Sequence, residues 1–311
     1  MSGNKVWNFR ICDSSKYPVL LAQGSLLKTT MSFLSEDKIK ELAKKANDIR
    51  ISIIEMLVEA KSGHTAGPLG MADIFTLFYF HVLKHDPKNP TWEDRDRFVL
   101  SNGHIAPVLY ATMAHAGYFP IEELKTLRKF GTRLQGHPHR EYMPWLENSS
   151  GPLGSGLSQA GGMALADKID KKDKDRFIYC FMSDGEMDEG NTWEAIMLAG
   201  KHKLRNLIAV VDRNNIQIEG FTEDVMPLEP FHAKWKAFNW HVIEVSGHDF
   251  RALNEVVEEA QDIFEKPTVI IAHTIPGKGV KEFERDYKWH GKPPSKEEGE
   301  MALKELRNLR F

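Results

Sequence analysis

Five short apolar runs constrain the fold of this chain of 311 residues more than any other feature. They are RFVLS, FIYCFMS, LIAVVD, HVIEVSG and TVIIAH, starting at Arg97, Phe177, Leu207, His241 and Thr268. Between them lie segments with apolar residues at helical spacing, among them LSQAGGMALADKI, NTWEAIMLAGKHK and ALNEVVEEAQDIF. A strand that is apolar along its whole length is covered on both faces, and alternation with helices supplies the cover. The pattern predicts an α/β fold: a doubly wound, mainly parallel sheet with helices on both faces. Upstream, Ser35-Glu36-Asp37 reads as the cap of a helix reaching about Ala60, which Gly63, Gly67 and Pro68 end. A second helix is expected from about Ala72 to Leu83, and another from about Ile105 to Ala116. The last residues, rich in Lys and Glu, read as a solvated helix. The expected organisation is an extension over residues 1–34, the sheet domain over 35–291 and a helical tail over 292–311.

Composition narrows the function. Hydrophobic residues make up 41% and charged residues 27%, which is a globular balance. The net charge of −3 offers no basic stripe for nucleic acid. No apolar run approaches the ~18 residues that a membrane span needs. Cys12 and Cys180 form no CxxC, which excludes a disulfide scaffold and fits a reducing cytoplasm.

In an open parallel sheet, ligands bind beyond the carboxyl ends of the strands. The residues there are Asn102-Gly103-His104, Asp184-Gly185-Glu186, Arg213-Asn214-Asn215 and His273. One helix separates the strands before Asp184 and Asn214, so a right-handed crossover makes these strands parallel. A carboxylate and a carboxamide are hard oxygen ligands, suited to Mg²⁺ or Ca²⁺ with room left for phosphate oxygens. The spacing alone equally allows a turn at Asp184-Gly185 and a cap at Asn214. GPLGSG before a helix offers close backbone approach and free N–H groups to a phosphate, although alone it reads as a tightly packed loop. Gln159 stands where a dinucleotide fingerprint needs Gly, which disfavours a Rossmann dehydrogenase. Of thirteen histidines, His64, His104, His137 and His290 adjoin glycine in loops. Such a set points to proton-handling chemistry near neutrality.

With these residues in place, SDGEMDEG…DRNN resembles the thiamine diphosphate motif. KSGHTAGPLGMA, RFVLSNGH, GPLGSGLSQAGGMA and WHGKPP resemble the transketolase family in the same order, over about Ser35 to Pro294. The resemblance implies thiamine diphosphate and Mg²⁺ (or Ca²⁺) as cofactors. It assigns the metal to Asp184, Asn214 and the main-chain carbonyl of Ile216, with Gly185 on the diphosphate. His104 and His290 would lie near the diphosphate and the reacting carbons, and His64 and His137 would bind sugar hydroxyls and assist proton transfer. Gly151 and Leu153 would flank the aminopyrimidine. Glu189 and Glu194 match interface carboxylates; a solvated helix start explains them equally well. Two departures stand out. Ser183 replaces the motif's first Gly, and His64-Thr65-Ala66-Gly67 reads as one residue longer than the usual His-Pro-Gly, which could shift His64.

The implied reaction moves a two-carbon ketol unit from a ketose to an aldose, with or without phosphate, in pentose phosphate metabolism. Family enzymes carry further pyrimidine and C-terminal domains. The resemblance is therefore to the N-terminal subunit of a split transketolase, whose partner is a C-terminal subunit, in an α2β2 assembly. Neither nucleic acid nor membrane is expected as a partner. Alternatives are a dihydroxyacetone synthase-like or 2-oxo acid dehydrogenase subunit, or a non-catalytic cofactor-binding regulator.

Overall fold

The computed structural model describes residues 34–173 and 176–311. Apart from Leu34, the expected N-terminal extension lies outside them. Ser35 caps α1 (Glu36–Ala60) by accepting from the Lys38 amide at 3.2 Å, and Lys61 ends it in the left-handed conformation. The next helix starts earlier than expected. In α2 (Ala66–Leu77), Gly67 and Pro68 lie in the first turn instead of breaking the chain, because a first-turn proline lacks only an N–H that would be unpaired anyway. A π-helical turn, Phe78–Val82, continues it, and His85 lies in the loop beyond.

The remaining order is β1 (Arg97–Leu100), α3 (Ala106–His115), α4 (Ser155–Ile169), β2 (Ile178–Ser183), α5 (Gly190–His202), β3 (Leu207–Arg213), α6 (Thr222–Val225), α7 (Phe231–Ala237), β4 (His241–Ser246), α8 (Phe250–Asp262), β5 (Thr268–His273) and α9 (Lys296–Asn308). The five strands are all parallel, in the order β1-β2-β3-β5-β4. Successive side chains on a strand face opposite sides. Tyr179, Phe181, Ile208, Val210 and Ile270 therefore meet α1, α2, α3 and α8 in one core. Cys180, Met182, Ala209, Val211 and Ile271 meet α4, α5 and α7 in the other. The runs of β2, β3 and β5 are thus apolar almost to their ends because both faces are roofed, whereas edge strand β4 carries Glu244 on a more open face.

The C-terminal helix is not a solvated tail. Leu306 is fully buried, worth roughly 1.5–3 kcal/mol relative to exposure. Its carbonyl accepts from Asn47 Nδ2 at 2.9 Å, and Gly299 packs against Val58 of α1. The described residues fall in one compact unit, which includes this helix.

Candidate active site

Strands β2 and β3 are neighbours, with Ser183 opposite Asp212, so Asp184 and Asn214 leave the sheet side by side. Asp184 is fully buried. Its Oδ1 accepts from the Gly185 amide at 2.8 Å, and its Oδ2 from the Asn215 amide at 2.8 Å and Arg213 Nη1 at 3.1 Å. Asn214 Oδ1 accepts from the Ile216 amide at 3.0 Å, while its Nδ2 donates to Asp212 Oδ2 at 2.7 Å. That second bond fixes which end of the carboxamide faces the turn, the usual way a neighbouring group orients a metal ligand. Asp212 also accepts from Thr274 Oγ1. Burial pushes the Asp212 carboxyl up to about 7; the Thr274 bond opposes this and the Asp184 charge adds to it. The Asp184 carboxyl oxygens, the Asn214 carboxamide oxygen and the Ile216 carbonyl are hard oxygen donors. They fit Mg²⁺ or Ca²⁺.

The GPLGSG turn does a different job from the one its glycines suggested. The Gly154 amide donates to Glu186 Oε1 at 2.6 Å, the Ser155 amide to the Pro152 carbonyl at 3.4 Å, and the Gly156 amide to Ser101 Oγ at 3.0 Å. These donors at the start of α4 are consumed inside the protein and offer no phosphate cradle. The glycines serve close packing instead. A Cβ on Gly156 would lie 2.4 Å from Ser101 Cβ, and one on Gly154 would lie 2.1 Å from Asn191 Oδ1 in a backbone with φ of 81°. Gly151 and Leu153, just before, stay half-buried and open to a ligand.

Three of the four loop histidines form one cluster. The ring centroid of His64 lies 5.0 Å from that of His104 and 5.5 Å from that of His290; His104 and His290 are 5.3 Å apart. The extra residue after His64 does not carry it out of the group. His137 joins through the Gly151 turn, where its ring lies 3.6 Å from the place a Gly151 Cβ would take. All four are held on the neutral side. Burial lowers His64 to about 4, helped by His290, Arg128 and His137. Burial, then His64 and His290, lowers His104 well below the usual range. Burial lowers His290, and burial followed by Arg128 lowers His137. His64 Nδ1, His290 Nδ1, Ser150 Oγ and both polar atoms of Asn102 are buried without a partner among the described residues. Such atoms cost free energy until something meets them. The hollow therefore fits a polar cofactor.

Glu189 and Glu194 are exposed at the start of α5, and Glu189 packs beside the Gly154 turn. His273 pairs with Glu244 at 2.8 Å and stays outside the cluster. Sequence reasoning missed Asp212, and named Arg213 and Glu186 at the strand ends without giving either a role. Their signal was a charged residue at or just beyond the end of an apolar strand, where charge is tolerated only with a partner.

Comparison with known proteins decides between the readings. The family model for "Transketolase, thiamine diphosphate binding domain" matches residues 42–307. The chain belongs to the transketolase family. It is 41% identical over 273 residues to the 6-deoxy-6-sulfo-D-fructose transketolase subunit SqwG of Clostridium sp. (strain MSTE9), covering 88% of this chain and 98% of that protein. It is 38% identical to a subunit of the apulose-4-phosphate transketolase of Phocaeicola vulgatus, covering 86% of this chain and 95% of that protein. The transketolase of Campylobacter jejuni superposes with a TM-score of 0.80 at 37% identity, over 87% of this chain but 44% of that one. These transketolase relatives are thus of two kinds: subunits matched nearly end to end, and longer chains matched over less than half. Among the described residues, no helix is long and apolar enough to cross a membrane.

Proposed function

We propose that this chain is the N-terminal, cofactor-binding subunit of a two-chain transketolase that acts with a C-terminal subunit. The observation that carries this is the convergence of His64, His104 and His290 at the sheet edge from which Asp184 and Asn214 also emerge. The near end-to-end match to relatives named as transketolase subunits supports the partner chain. An α2β2 assembly, with Glu189 and Glu194 at the interface, agrees with the exposure of both carboxylates.

Asp184, Asn214 and the Ile216 carbonyl would hold the divalent metal, and the Gly185 backbone would meet the diphosphate. Gly151 and Leu153 flank the other end of the cofactor. Bound there, thiamine diphosphate would supply the nucleophilic carbon for two-carbon transfer. His104 and His290, both kept on the neutral side by burial, would lie near the reacting carbons, where they would accept and return protons. His64 and His137 hold the hydroxyls of the donor sugar. The two subunit relatives are named for 6-deoxy-6-sulfo-D-fructose and apulose-4-phosphate, two different sugars, so the reading commits to ketol transfer and to no single sugar. A cytoplasmic location agrees with a buried free Cys180.

The test is reconstitution. The chain mixed with its complementary subunit, Mg²⁺ and thiamine diphosphate should transfer ketol units, and neither chain alone should do so. Substantial activity from this chain alone refutes the two-chain reading. Asp184→Ala in the mixture separates enzyme from regulator: the reading requires loss of Mg²⁺-dependent cofactor binding and of activity together.

A further inference from the structure

Glu186 joins the two halves of the cofactor site without itself facing the histidine hollow. It is fully buried, one turn past the end of β2 in the 3-10 segment Gly185–Asp188. Its Oε1 accepts from the Gly154 amide at 2.6 Å and from Ser101 Oγ, and its Oε2 accepts from the Ser183 amide at 3.3 Å. Ser101 Oγ in turn accepts from the Gly156 amide. One carboxylate thus ties three segments. They are the end of β1 that leads to His104, the Gly151–Gly154 turn, and the turn that begins at Asp184. No cation pairs with Glu186 among the described residues, so its charge is met by these hydrogen bonds alone. A buried carboxylate held this way needs every donor in place, because each unmet lone pair is costly at low dielectric. The packing allows no slack: the close approaches at Gly154 and Gly156 leave no room for the turn to slide toward the sheet.

We propose that Glu186 is a positioning residue that sets the distance between the Gly151–Leu153 turn and the metal turn, and so the length of ligand this chain can bridge. This rests on the thiamine diphosphate reading of the site. A ligand held only at the metal turn does not feel that distance, whereas one spanning to the Gly151–Leu153 turn does. Glu186→Gln is the direct probe. It keeps an acceptor for the Gly154 amide and Ser101, and places an NH₂ against the Ser183 amide, where two donors then face each other.

The experiment is calorimetric titration of the full chain with its complementary subunit, using two probes with Mg²⁺: thiamine diphosphate and inorganic pyrophosphate. Glu186→Gln should weaken thiamine diphosphate about tenfold, the order expected when a buried acceptor is replaced by a donor. It should leave pyrophosphate within about twofold. Equal losses with both probes would mean that Glu186 only supports the metal turn, and would overturn the inference, as would no loss with either. Ser101→Ala, which leaves the carboxylate in place, should show the same split at smaller size; if Glu186→Gln does not fold, its split or lack of one decides the matter. A wild-type assembly that binds pyrophosphate but not thiamine diphosphate would strike down the cofactor reading itself, and this inference with it.

Discussion

The Asp184–Asn214 turn and the histidine hollow lie at the same edge of the sheet, yet they are finished to different degrees. In the turn, Asp184, Asn214 and Asp212 accept or donate wherever the protein can reach, and Arg213 links Asp184 to Glu223 at 2.7 Å and Glu229 at 3.1 Å. In the hollow, polar atoms of His64, His290, Ser150 and Asn102 have no partner among the described residues, and the imidazoles repel one another's protonation. The turn is built to hold its shape without help. The hollow is built to be completed by something bound. Preorganised ligands favour metal affinity, and partnerless groups kept neutral favour chemistry.

If that contrast is right, substitutions in the hollow should cost rate and those in the turn should cost affinity. The largest effect is expected from His104→Gln. Kcat in the reconstituted enzyme should fall roughly 10²–10⁴-fold, the range for losing a general acid or base, with Mg²⁺ affinity unchanged. A matching loss of Mg²⁺ binding would erase the distinction between the regions. Next comes acid sensitivity. His64 has a folded pKa of about 4 against its ordinary value of 6.5, so the unfolded chain binds more protons between those values. Stability is therefore complete above about pH 6.5 and falls as pH drops toward 4, by about 3 kcal/mol from this residue. His104, His137 and His290 act in the same direction. Thermal melts across about pH 4–7 should show this contribution as the difference between the wild type and His64→Gln, which loses more stability toward neutral pH than toward acid; the buried Asp212 carboxyl opposes it in both proteins. Asp212→Asn is smaller: losing a carboxylate acceptor beside Asn214 should weaken Mg²⁺ about 10–100-fold by titration, and should steepen the acid slope, because the Asp212 carboxyl, pushed up to about 7, gains a proton on folding and opposes the histidines.

The sheet was readable because both faces of every central strand are roofed, so the runs from Ile178 and Leu207 carry no polar residue before their ends. The pairing of Asp184 with Asn214 followed from that, since one helix between parallel strands places their ends together. Two local errors came from residues with two uses. Pro68 can stop a helix or start one, and only the packing of α2, buried along its whole length, decides. The glycines of GPLGSG fit a phosphate cradle or a tight contact equally well, and the choice depended on Ser101 and Glu186, distant in sequence. Likewise Leu306 faces α1 across most of the chain's length, a contact that no local pattern encodes.

The smallest expected effect probes the border between the hollow and the solvent. Arg128 is exposed, and its Nη1 donates to Ser62 Oγ at 2.8 Å, two residues before His64. Its guanidinium also lies over Gly136, next to His137: a Cβ there would come within 3.0 Å of Nε. The positive charge lowers the pKa of both histidines. Because the cation is solvated, its contribution should be under about 1 kcal/mol and screened by salt. Arg128→Gln should therefore move the acid limb of kcat/KM toward neutral pH by a small amount, since both imidazoles become easier to protonate. Raising ionic strength on the wild-type enzyme should move it the same way, and should do little to the variant. A variant whose limb stays put, or moves toward acid, would mean that burial and the neighbouring imidazoles alone keep the hollow neutral.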